Sequence, residues 1–145
     1  GQSYVPGHDF KIYERLMENR DLYTVHNDYI SEEKVSELFT KSSIVVLPYI
    51  QASQSGVATT AFGFGKPVIA TNVGSIPEIV ENGKTGLIVP AKDPIAIANA
   101  VIKLLKDDDL RVSMGQNARS KIDNDLSWNA IAKETTKVYQ SLFVK

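Results

Sequence analysis

Gln54-Ser55-Gly56-Val57 lies between an apolar run, Ile44–Leu47, and a short stretch that closes at Phe64-Gly65. The spacing reads as strand, loop and helix start. The first N–H groups of a helix lack intrahelical acceptors, and the helix dipole adds positive charge there. Such an end suits a phosphate. Gly56 has no side chain, so a diphosphate can come close to the backbone at that point. Ser55, Gly56 and Val57 would supply amides; Gln54, Ser55 and Thr59 or Thr60 would supply hydrogen bonds to phosphate or ribose oxygens. The same residues also fit a plain helix start, with Ser55 an N-cap and Gly56 a turn residue, and residue types alone leave both readings open.

Other groups join this set by position. Gly74 ends the next strand and would be the second backbone element lining a cleft. Tyr49 either stacks on a base or sugar or covers the sheet edge. Glu78 reads as the partner of Ser75 in a capping box around Pro77, with a sugar-hydroxyl contact as the alternative. Asp107-Asp108-Asp109 lies between two amphipathic helices and reads as capping and solvation rather than a metal site. His8 and His26 are isolated. No nucleophile–base pair and no Walker, zinc or Rossmann glycine signature is present, so no catalytic residue and no metal ligand is assigned.

These residues need elements to hold them. Phe10, Tyr13, Leu16 and Met17 predict a helix over 9–19, followed by a β-prone run at Leu22–His26. Ser31 caps a helix with Val35, Leu38 and Phe39 on its buried stripe. Ile44–Leu47, uninterrupted and apolar, predicts a strand buried on both faces. A helix from Gly56 to Phe64, a strand at Pro67–Thr71, a short helix after Ser75 and a strand at Leu87–Val89 follow. Gly63 and Gly65 are expected to let the helix pack closely on a strand. Asp93-Pro94 starts a helix with Ile95, Ala98, Val101, Ile102 and Leu105 on its buried face. Leu110, Met114, Ala118 and Ile122 mark another, and Ser127 caps a last one bearing Trp128, Ile131, Val138, Tyr139 and Leu142. Strands alternating with helices predict an α/β, Rossmann-like three-layer sandwich around a parallel sheet of about four strands, with C-terminal helices.

The 145 residues make one domain by length. A net charge of −1 provides no basic field for nucleic acid and no polybasic membrane anchor. Cysteine is absent, which removes disulfides and thiolate metal sites and fits a reducing cytoplasm. No apolar run reaches the ~18–20 residues that span a bilayer. The chain opens on Gly1 and its pattern begins abruptly, as expected of a fragment.

Leu-Pro-Tyr at 47–49, Gln-Ser-Gly at 54–56, Phe-Gly-Lys-Pro-Val-Ile-Ala-Thr at 64–71, Val-Gly-Ser-Ile-Pro-Glu at 73–78 and Glu-Asn-Gly-Lys-Thr-Gly-Leu-Ile-Val-Pro at 81–90 together resemble the C-terminal domain of group 1 (family 4) glycosyltransferases. Residues 29–39 and Ser127-Trp128 are similar too. The resemblance implies a GT-B enzyme with two Rossmann-like domains facing a cleft. This one would hold a UDP- or GDP-sugar, and an N-terminal domain outside this chain would hold a saccharide or lipid-linked acceptor. It implies retention of configuration, no cofactor beyond the donor and no essential metal. Polysaccharide biosynthesis in the cytoplasm is the implied setting, with membrane association only through parts of the protein outside this chain. Tyr49, Gln54, Ser55, Gly56, Val57, Thr60 and Gly74 are the donor-binding set carried forward.

The chain departs from the family pattern twice. The two glutamates that most members carry across this loop and helix fall on Ala52 and Thr60. Thr60 keeps a hydroxyl for ribose; Ala52 offers no polar side chain. Two further strands and the basic residues that neutralise donor phosphates are also missing. If the family's strand order holds, those strands belong between 22–26 and 44–47. A catalytically degenerate partner module and a sugar-nucleotide epimerase-like enzyme therefore stand as alternatives. Without neighbouring strands, the N-terminal third is expected to be irregular or partner-dependent: amide exchange over residues 1–30 should be faster than over 67–71, and equal protection would refute that.

Overall fold

The structure, a computed structural model, describes residues 15–143. They divide into two compact units between Leu38 and Phe39. In the first, Arg20–Leu22 forms one turn of 3-10 helix, and residues 23–27 have no regular structure. Phe10, Tyr13, His8 and most of the helix expected over 9–19 lie outside the described residues; residues 15–19 are turn and bend. The strand expected at Leu22–His26 does not form. Tyr23 has extended angles, φ −118° and ψ 134°, but no strand among the described residues pairs with it. β-propensity yields a strand only where a neighbour accepts its backbone groups. The helix α1 (Glu32–Lys41) crosses the division, and the Lys34 amide donates to Ser31 Oγ at 3.3 Å, as expected of a cap.

The second unit carries a parallel sheet of β1 (Val45–Leu47), β2 (Val68–Thr71) and β3 (Gly86–Val89), in that order. The described sheet therefore has three strands rather than four. Helix α2 (Gly56–Gly63) joins β1 to β2, and α3 (Ile76–Ile79) joins β2 to β3. Then follow α4 (Pro94–Lys106), α5 (Asp108–Asn124) and α6 (Trp128–Phe143). Successive side chains of a strand face opposite sides. Accordingly, Val68 and Ala70 join Ala58, Ala61 and Phe62 of α2, while Ile69 joins Ala100 and Leu104 of α4. Two apolar layers thus sandwich the sheet, and burying a side chain the size of Phe62 or Ile69 contributes roughly 1.5–3 kcal/mol.

Only the central strand is buried on both faces. All four residues of β2 are buried, whereas Val46 on edge strand β1 is 37% exposed. Gly65, at φ 64°, ends α2, but neither it nor Gly63 packs on a strand; the close approach is Gly115 of α5 onto the Gly65 carbonyl. Asp93 and Asp107 cap α4 and α5 through the Ala96 and Leu110 amides, each at 2.9 Å. The buried face of α4 is rotated from the expected one. Ala100 and Leu104 are buried, while Ile95, Ile102 and Leu105 are exposed. A helix with apolar residues on most positions does not encode which face meets the sheet. The apolar residues expected to bury α6 are likewise exposed, Trp128 at 86%, because no described element covers them.

At the N-terminal ends of the strands, Lys121 of α5 reaches Glu81 at 2.7 Å and Lys84 reaches it at 2.9 Å. The Lys121 hydrogen bond, then that of Lys84, lowers the Glu81 carboxyl from 4.5 to about 2. A carboxylate depressed on folding stabilises above its unfolded pKa and loses that contribution as pH falls through the folded value. Partly exposed pairs contribute on the order of 1 kcal/mol or less. We expect Glu81→Gln to lower Tm by roughly 2–4 °C near neutral pH and to flatten the decline of Tm between about pH 4.5 and 2. Thermal scans across that range check this, and identical pH profiles would contradict it.

Candidate functional site

Leu47 pairs with Ala70 and Thr71 with Val89, so the strands end along one edge, and the segments 48–55, 72–75 and 90–93 emerge there. Segment 48–55 delivers the chain to the N-terminus of α2. Ser55 is buried, and its Oγ accepts the Ala58 amide at 3.3 Å, so the cap forms. Its Oγ also lies 3.2 Å from the Tyr49 hydroxyl. The half-buried Tyr49 ring packs against the core cluster, and its phenol is tied to the cap.

Gly56 and Val57 follow the cap. Both are exposed, Val57 at 42%, and their amides meet no acceptor among the described residues. A Cβ built on Gly56 would meet nothing within 4 Å. Gln54 is exposed on the approach to the helix. The Thr60 hydroxyl, like that of Thr59, donates to the Gly56 carbonyl at 2.9 Å. It can therefore accept a hydrogen bond but has no free proton to give. This carbonyl bonding, common for helical threonines, was not legible from spacing.

The wall opposite is the 72–75 turn. Gly74 adopts φ 51°, and a Cβ there would stand 1.8 Å from the Ala52 carbonyl oxygen. Only glycine fits. Next to it, the Ser75 amide donates to the Ser53 carbonyl at 3.2 Å, and the Ser75 hydroxyl donates to the same oxygen. Ser75 makes no side-chain cap on α3, and the expected capping box with the exposed Glu78 is absent: the Glu78 amide bonds the Ser75 carbonyl at 3.1 Å instead. Ser75 has ψ 14° rather than an extended cap conformation, so its carbonyl, not its hydroxyl, meets the Glu78 amide. Ser53 and Thr71 complete the support, Thr71 Oγ1 donating to the Tyr49 carbonyl at 2.6 Å. Sequence reasoning had no signal for either, since both work through carbonyls far apart in the chain.

Two other clusters can be set aside. A cavity of about 240 Å3 lined by Glu81, Lys84, Asn117, Ser120, Lys121 and Asn124 lies at the opposite edge of the sheet. Its polar groups satisfy one another: Asn117 bonds the Lys84 carbonyl, Asn124 bonds Ser120, and both lysines bond Glu81. In the aspartate run, Asp107 caps α5 and Asp108 pairs with Arg111 at 2.7 Å. Among the described residues no three His, Cys, Asp or Glu side chains come together to hold a metal. No described helix is long and apolar enough to cross a membrane.

A helix N-terminus with open amides on the carboxyl edge of a parallel sheet is where α/β domains bind ligands, and this domain is of that Rossmann-like class. The profile of the family described as glycosyl transferases group 1 matches residues 6–121, and the chain belongs to that family. It is 39% identical over 110 residues to D-inositol 3-phosphate glycosyltransferase of Corynebacterium jeikeium, covering 76% of this chain and 26% of that protein. Sucrose-phosphate synthase from Thermosynechococcus elongatus matches with a TM-score of 0.76 at 30% identity, over 92% of this chain and 34% of that one. HepE of Anabaena, solved in complex with UDP, shares the fold at a TM-score of 0.64 and 19% identity, over 74% of this chain and 30% of its own. The chain thus spans about a quarter of the length of the curated relatives it matches.

Because Gly74 combines a left-handed backbone with a carbonyl in van der Waals overlap of any Cβ, Gly74→Ala should lower unfolding free energy by at least ~2 kcal/mol. Urea denaturation measures it; a loss below about 0.5 kcal/mol, the range of inert surface changes, would contradict the geometry.

Proposed function

We propose that this domain binds the diphosphate of a UDP- or GDP-sugar on the amides of residues 55–57. The full-length protein would then transfer the glycosyl group, with retention and without an essential metal, to a saccharide or lipid-linked acceptor held by an N-terminal domain outside this chain. Gly56 carries the reading. The fold makes no demand for glycine there, unlike at Gly74, because a side chain would project into open space beside two free amides. A site that needs close backbone approach by a ligand accounts for it.

Family membership supports the same reading, as does the name of the Corynebacterium relative and the UDP bound to HepE. Chemically, transfer leaves negative charge on the departing diphosphate. Preorganised amides and the α2 dipole would stabilise that charge as it develops, in place of a cation. Ser55 and Tyr49 hold the helix start, and Gly74 and Val57 shape the walls. Thr60 would accept from a ribose hydroxyl, and Gln54 would donate to the donor from the loop. Ala52, at a position where most of the family has a glutamate, favours a second reading: a degenerate domain that binds a partner transferase without transferring sugar itself.

In the full-length protein, Gly56→Leu should weaken UDP or GDP binding at least about tenfold, the equivalent of roughly 1.4 kcal/mol. Its unfolding free energy should stay within about 0.5 kcal/mol of the parent, since a Cβ at this exposed position meets no protein atom within 4 Å. Isothermal titration and urea denaturation read the two effects. No saturable binding of either nucleotide at millimolar concentration rejects the donor-binding reading, and binding without sugar transfer favours the degenerate one.

A further inference from the structure

We propose that Ser75 is a positioning residue for the amides at the start of α2, a role that rests on reading those amides as the phosphate site. Residues 48–55 contain no helix or strand; core packing of Ala58, Ala61 and Phe62 holds the body of α2, and this segment governs how its first turn is entered. Three tertiary contacts from the end of β2 hold it: Thr71 Oγ1 on the Tyr49 carbonyl, Gly74 against the Ala52 carbonyl, and Ser75 on the Ser53 carbonyl. The last lies three residues before Gly56. Ser75 occupies the N-cap position of α3, where a serine oxygen ordinarily accepts an amide of its own helix. Here the hydroxyl instead donates to a segment 22 residues earlier, and the Ser75 amide donates to the same oxygen at 3.2 Å. A carbonyl gripped by two donors from one residue cannot swing away while both hold.

Removing the hydroxyl leaves the amide contact and Gly74 in place, so the segment should loosen rather than unfold. The amides at 56 and 57 would then sample positions that do not converge on one anion, and binding would suffer more than stability. One neutral hydrogen bond lost from preorganisation corresponds to about a fivefold change in affinity.

The test compares the full-length parent with Ser75→Ala and Ser75→Thr, using UDP as the probe. Expected for Ser75→Ala are a roughly five- to tenfold higher Kd for UDP, a Tm within about 2 °C of the parent, and displaced resonances for the Gly56 and Val57 amides in the ligand-free protein. Ser75→Thr, which keeps the hydroxyl, should restore all three. Selective nitrogen-15 labelling of glycine and valine makes the two amides visible. Ser75→Ala binding UDP within twofold of the parent, with the Gly56 and Val57 resonances unmoved, overturns the proposal. So does a fall in Tm with affinity and resonances unchanged, which is a purely structural role. If the parent itself does not bind UDP, the donor-binding reading fails, and the displacement or constancy of the two resonances still decides for or against positioning by Ser75.

Discussion

Two carbonyls, those of Ala52 and Ser53, are pinned against the backbone of Gly74 and Ser75, and the site depends on that clasp. Parallel strands deliver their C-terminal ends to one edge, but the segments that leave them are irregular and would be mobile if only their ends were fixed. Gly74 resolves this by bringing backbone to backbone at a distance no side chain allows. The loop after β1 and the turn after β2 thereby become one rigid rim. The start of α2 is attached to that rim, while Ala58, Ala61 and Phe62 anchor the rest of the helix in the core; the direction of the open amides follows from both.

The two edges of the sheet are built differently. On the carboxyl edge, the start of α2 offers backbone amides and a helix dipole, with hydroxyls of Ser55, Tyr49 and Thr71 bonded inward, and Asp93 caps α4. On the amino edge, charged side chains do structural work: Lys121 and Lys84 converge on Glu81 and fasten α5 to the turn before β3. A fixed dipole needs no rearrangement to meet an anion, whereas flexible lysines lose entropy when ordered. The ion pairs on Glu81 therefore belong to the scaffold, and the open amides of α2 lie on the edge where donor binding is proposed.

Where expectation and structure part, the cause is a missing or competing partner. Leu22–His26 has strand-forming residues and extended angles at Tyr23 but no strand among the described residues to pair with. The α6 stripe of Trp128, Ile131, Val138 and Leu142 has the helical period and no described surface to meet it. Along α4, apolar residues surround so much of the helix that the sheet could have met several faces; contact with Ile69 selected Ala100 and Leu104. Ser75 and Glu78 have the spacing of a capping box, yet the Glu78 amide goes to the Ser75 carbonyl and the serine hydroxyl turns to Ser53.

Much of the domain was legible in the residues themselves. The alternation of apolar runs with helical periods fixed the parallel α/β class, and Ser55, Asp93, Asp107 and Ser127 marked helix starts, because a cap is satisfied within three residues of itself. Gly56 and Gly74 were marked as backbone positions of the site by their place between elements. What distinguished them was tertiary: Gly74 is required by a carbonyl 22 residues earlier in the chain, while Gly56 faces open space. The fate of the Ser75, Thr60 and Tyr49 hydroxyls was also settled only there. Local pattern encodes which bonds a residue can make, and three-dimensional proximity decides which acceptor reaches it first.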